Sequence, residues 1–208
     1  MHGLINKALQ NFICDSFGQE TWNEVLLSAG LVHRLDPDGF ESMNRYDGSW
    51  TQEILAAAGD TLRRPVDSLL EDLGTYLVSS ERMNPLRRLL RFGGMTFTDF
   101  LYSLDELQGR SVLAVPDLEM PVLSITCNAE DSFALTCGPG WPGLGHVMLG
   151  VLRAMADDYG VLAVLEHCDT NDCSVHRTNR SCFEVITIKV HDPAHQAAKR
   201  FELASEHY

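Results

Sequence analysis

The hydrophobic period of this chain changes once, near its middle, and that change fixes the class of fold open to it. Up to about residue 110, apolar residues recur at the spacing of one helix face, as in Leu4, Ile5, Ala8, Leu9, Phe12 and Ile13. "GQETWNEVLLSAGL" predicts a second helix that starts near Thr21 and ends at Gly30. "SWTQEILAAAGDTL" and "PVDSLLEDLGTYLVSS" predict two more, the second opened by Pro65. "NPLRRLLRF" is short and basic, Gly93 and Gly94 interrupt the pattern, and "TFTDFLYSLDELQGR" resumes it. Beyond residue 120 the period shortens. "PVLSITC" and "SFALTC" are β-like and flank the polar turn "NAED". "PGLGHVMLGVLRAMADDYG" is a helix ending at Gly160, and "VLAVLEHC" and "CFEVITIKV" are strands joined by "DTNDCSVHRTNRS". The expected fold is α+β. A helical lobe over residues 1–110 is followed by a β-β-α-β-β lobe with an antiparallel sheet over 111–192, and a polar tail fills 193–208.

Charge narrows the partners. The net charge of -13 over 208 residues repels phosphate backbones and argues against nucleic acid. No apolar run reaches the length of a membrane span. The opening "MHGLINKALQNFICDSFG" keeps Asn6, Lys7, Gln10 and Asn11 and lacks a small-residue cleavage site, so it reads as a structural helix. The expected location is the cytoplasm, where six cysteines are thiols or metal ligands before they are disulfides.

Cys168, Cys173 and Cys182 follow the spacing C-x4-C-x8-C around one hairpin. A fourth thiol follows from topology. The helix after Cys137 is long enough, at about 24 Å, to run back along the sheet, so the next strand runs the same way as the one before it. Cys137 and Cys168 are then expected at one end of the sheet and Cys127 at the other. Four thiolates suit tetrahedral zinc, or a redox switch in which oxidation releases the metal. His167 and His176 are alternative ligands, and Cys14 and Cys127 are expected in the core.

The opening segment, with M-x-G-x-I-x-x-x-L, then G-x-x-x-W and A-G-L, resembles the start of H-NOX domains, the haem-nitric oxide/oxygen-binding family that also provides the sensor domain of soluble guanylate cyclase. The resemblance continues through "FTDFLYSLDELQGRSVLAVPDLEMP" and "GLGHVMLGVLRAMADDYG" to "FEVITIKVHD", about residues 1–192. It implies a proximal haem histidine where this chain has Gln108, and a haem-packing proline at Pro116. It also implies a Y-x-S-x-R propionate anchor where this chain has Cys137, Pro139 and Trp141. A neutral amide is a poor iron ligand beside an imidazole. With both anchors replaced, the expectation is a sensor without ordinary haem. His146 is the nearby alternative iron ligand. The resemblance also implies a cysteine zinc site in the β lobe that responds to oxidation.

The expected function is therefore a stand-alone, haem-free sensor. It answers redox state or nitric oxide through zinc and cysteine, and it regulates a separate histidine kinase, cyclic-di-GMP enzyme or chemotaxis receptor. Two rivals stay open: a sensor of haem or another apolar ligand held by an unusual residue, and an adaptor stapled by zinc. The basic stripe Arg82, Arg87, Arg88 and Arg91 is a candidate docking surface. No phosphate loop or nucleophile elbow is present, because "GPGWPGLG" lacks the lysine. An enzyme is not expected.

Overall fold

In the computed structural model, residues 1–36, 38–91, 94–115, 117–168 and 183–191 are described. The helical half comprises α1 (Gly3–Phe17), α2 (Gln19–Ser28), α3 (Gly48–Leu62), α4 (Val66–Ser79), α5 (Asn84–Arg91), α6 (Phe97–Ser103) and α7 (Leu107–Ala114). Local chemistry starts and stops them. The His2 ring accepts a hydrogen bond from the Leu4 N–H at the head of α1. Gly18, at φ 94°, takes the left-handed turn that separates α1 from α2. Thr96 and Asp99 close a reciprocal capping box at α6, satisfying two amides that a helix start leaves open. The segment read as one helix through Arg110 is divided. A 3-10 turn over Leu104–Glu106 separates α6 from α7.

The second half adds β1 (Leu123–Ala129), β2 (Ser132–Cys137), α8 (Leu144–Tyr159), β3 (Leu162–Cys168) and β4 (Glu184–His191). The four strands form one sheet in the order β1-β2-β4-β3, with every neighbouring pair antiparallel. The α+β expectation holds, and so does the crossover. β3 runs in the same direction as β2, with β4 inserted between them. Cys137 and Cys168 therefore end at the same edge of the sheet, and Cys127 at the other.

Two hydrophobic cores result. Trp22, Phe40, Ile13 and Ile54 centre one among the helices. Phe100, Leu104, Leu135 and Leu152 centre the other, between α6–α8 and the inner sheet face. The two meet where α4 crosses α8. There a Cβ on Gly74 would drive into the Val147 carbonyl, and one on Gly150 into the Glu71 carbonyl. The helices touch backbone to backbone because both positions lack a side chain.

Cys127 departs from expectation: it is exposed near the far end of β1, where its thiol donates to the Ala129 carbonyl at 3.1 Å. Cys14 is half-buried against the helical core.

Candidate functional site

Gln108 lies half-buried on α7, and its Nε2 donates to the Met120 carbonyl at 3.0 Å. The amide thus ties α7 to the segment entering β1. Asp105 adds a second tie, its Oδ1 accepting from the Ile125 N–H at 2.6 Å. Ser111 Oγ donates to the Gln108 carbonyl at 2.7 Å. Pro116 lies outside the described residues.

Beside α7 is a cavity of about 240 Å³ between the two lobes. α1, α3 and α4 line one side, and α5, α7, Met120, Trp141 and the start of α8 line the other. Its walls are mainly leucine, isoleucine, valine, alanine and methionine, with Trp141 as the single aromatic ring among the described residues. Thr51 and Gln52 are the only hydroxyl and amide side chains among the described lining residues, and the Thr51 hydroxyl already donates to Asn6 Oδ1 at 2.7 Å. Of the three positions expected to face a propionate, Trp141 lines the cavity, Cys137 is buried under the sheet and Pro139 is exposed.

Of the four expected thiols only Cys137 and Cys168 lie among the described residues, and they share an end of the sheet without sharing a face. Directly paired residues share a sheet face, and successive residues alternate between faces. Cys137 pairs with Glu184, and Cys168 pairs with Val185. Cys137 and Glu184 therefore face the core, and Cys168 points to the outer face. One tetrahedral ion cannot take both thiols while this register holds. Burial, and secondarily the Glu184 carboxylate, push the Cys137 thiol up to about 12, so it is a neutral S–H. Cys173, Cys182 and His176 lie outside the described residues. Among the described residues no group of three or more His, Cys, Asp or Glu is arranged to hold a metal.

The inner corner beside Cys137 is instead a hydrogen-bonded carboxylate. Glu184 Oε1 accepts from the Gly143 N–H at 3.1 Å and Oε2 from the Gly145 N–H at 2.8 Å, at the head of α8. His167 Nε2 lies 3.3 Å from Glu184 Oε2, and its ring stacks on His146 at 4.2 Å. His146 in turn lies 3.7 Å from Asp67 and 3.6 Å from Glu71. The sequence reading passed over Glu184. The glycines of "GLGH" are the signal that amides here were open to a partner.

The basic stripe is largely paired with carboxylates of the fold at its surface. Arg87 pairs with Asp158, Arg91 lies 3.6 Å from Asp158 and 5.0 Å above the Tyr159 ring, and Arg82 lies 3.4 Å from Asp15. Arg88 is exposed.

The family model described as Haem-NO-binding matches residues 2–167. The chain belongs to the Haem-NO-binding family. Among curated proteins, soluble guanylate cyclase gcy-31 of Caenorhabditis elegans is 29% identical over 136 residues, 65% of this chain and 18% of that protein. Soluble guanylate cyclase 89Db of Drosophila melanogaster is 21% identical over 159 residues, 76% of this chain and 23% of that protein. The chain thus spans 18% and 23% of the lengths of these two relatives. The fold matches an Fe(II) unliganded H-NOX protein from K. algicida at TM-score 0.75 and 16% identity, covering 94% of this chain and 100% of that one. An H-NOX protein from S. oneidensis in the Fe(II)NO state matches at TM-score 0.70 and 17% identity, covering 92% and 100%.

Haem is the family's usual cofactor, and the cavity of this Haem-NO-binding chain fits it poorly. An iron porphyrin needs an axial base and partners for two propionates. Among the described residues no histidine, cysteine, tyrosine, lysine or arginine lines the cavity, and Met1, Met120 and Met148 are the only soft ligands on its wall. Gln108 is committed to a carbonyl, and His146 makes its contacts with His167, Asp67 and Glu71 outside the lining.

Proposed function

We propose that this chain is a sensory module of the Haem-NO-binding family that reads its signal without histidine-ligated haem and passes it to a signalling protein. The observation that carries the reading is the Gln108 side chain. At the position expected for the iron ligand it fastens α7 to Met120 across the edge of the cavity. The likeness to guanylate cyclases favours a nucleotide-cyclase output, and a histidine kinase or a cyclic-di-GMP enzyme fits the same role. In the test, the protein is expressed with haem supplied and its absorption spectrum is recorded. The expected result is no Soret band. A stoichiometric Soret band would overturn the reading.

A second reading, a thiol and zinc response to oxidants or nitric oxide, is supported by the C-x4-C-x8-C spacing. With Cys137 on the inner face, the coherent ligand set is Cys168, Cys173 and Cys182 with His176. The expected outcome of metal analysis is one zinc per chain, lost in Cys182→Ser and kept in Cys137→Ser. Equal loss in both variants would restore Cys137 to the site.

A further inference from the structure

We infer that the cavity between the lobes is a binding site for a neutral aliphatic molecule with one hydrogen-bonding end, an inference that rests on the haem-independent reading above. Protein interiors are close-packed, and voids larger than a water molecule are few. This one measures about 240 Å³ and opens to solvent on one side, and an enclosed engineered apolar cavity of roughly 150 Å³ already stays dry and takes up benzene or xenon. Water gains nothing there, because a buried water needs two to four polar partners and the walls offer almost none. An apolar guest restores the dispersion contacts that the lining residues lose across an empty gap.

The lining selects among apolar guests. Trp141 is the single aromatic wall among the described residues, so a flat macrocycle finds no pair of described faces to stack between. Branched aliphatic walls with Met1, Met120 and Met148 suit a flexible chain, since methionine adapts its shape to an irregular guest. Among the described residues no lysine or arginine lines the cavity, and the chain carries a charge of -13, so an anionic headgroup is disfavoured. Gln52 lines the cavity and is itself exposed, which places one amide at the solvent end for a hydroxyl or carbonyl. The guest touches both lobes at once, so its arrival can be felt where α4 and α8 cross.

The experiment titrates 1-octanol, and separately octanoate, into the haem-free full chain. Binding is followed by calorimetry, thermal unfolding and Trp fluorescence. Two variants fill the cavity. Gly48→Phe works from the first turn of α3, where an added Cβ meets nothing within 4 Å. Ala8→Phe works from α1. The expected result is saturable one-to-one binding of octanol with a raised Tm, octanoate weaker by about tenfold or more, and loss of binding in each variant that keeps the native circular-dichroism spectrum. Linear, non-saturating octanol response would overturn the proposal, as would octanol binding retained by a folded variant. A Soret band in haem-supplied protein bears on the haem reading alone and is scored apart from the octanol titration.

Discussion

The Cys137 thiol sits on the inner face of β2, opposite Glu184 and shielded from water. Desolvation favours the uncharged form of an acid, so folding raises this thiol from 9.0 to about 12. The sign of the linkage follows. The unfolded chain releases the proton first, so the contribution is whole below pH 9 and is lost as pH rises toward 12. Wild-type stability should therefore fall across that window, and Cys137→Ala should flatten the slope. Denaturant melts at several alkaline pH values would show it, and parallel slopes for the two proteins would refute it. Under native conditions iodoacetamide should label exposed Cys127 and spare Cys137, read by peptide mass spectrometry. That Cys137 and Cys168 share a sheet end was legible from the length of α8. Their opposite faces were not, because facing is set by a register that β4 imposes and that no local pattern in either strand encodes.

At the scale of elements, the crossing of α4 and α8 holds the two halves together. Gly74 and Gly150 are glycines inside helices, each a cost to its own helix of about 0.5–1 kcal/mol relative to alanine. The crossing repays that cost by bringing two backbones into contact. Gly74→Ala and Gly150→Ala should each destabilise by about 1–3 kcal/mol, since an overpacked contact must push the helices apart. Gly109→Ala is the control: it is helical, its added Cβ meets nothing within 4 Å, and it should be neutral or mildly stabilising. Urea midpoints separate the cases, and a neutral Gly150→Ala would deny the crossing its role. The same scale explains the break between α6 and α7. Apolar spacing runs on through Leu101, Leu104 and Leu107, all buried. The 3-10 turn keeps those side chains buried, so periodicity alone could not reveal it.

Across the whole molecule, two cores share one helix crossing and leave an apolar cavity beside it. The change of hydrophobic period made the two halves legible, and the family's sequence pattern made α7 recognisable. The cavity was not legible, since its lining comes from distant segments that fall together only when the halves dock. This bears on what Gln108 means. If the chain lacked only an axial base, Gln108→His should restore haem by itself. The geometry argues otherwise: Trp141 forms part of the cavity wall, and among the described residues no lysine or arginine lines it to meet a propionate. The expected outcome is that Gln108→His, expressed with haem supplied, shows no stoichiometric Soret band. Gln108→His with Trp141→Arg should show partial incorporation, because the larger cavity then also offers a guanidinium. Absorption spectra normalised to protein decide it. A full Soret band in the single variant would mean that the cavity is already shaped for a porphyrin and that the glutamine alone keeps it out.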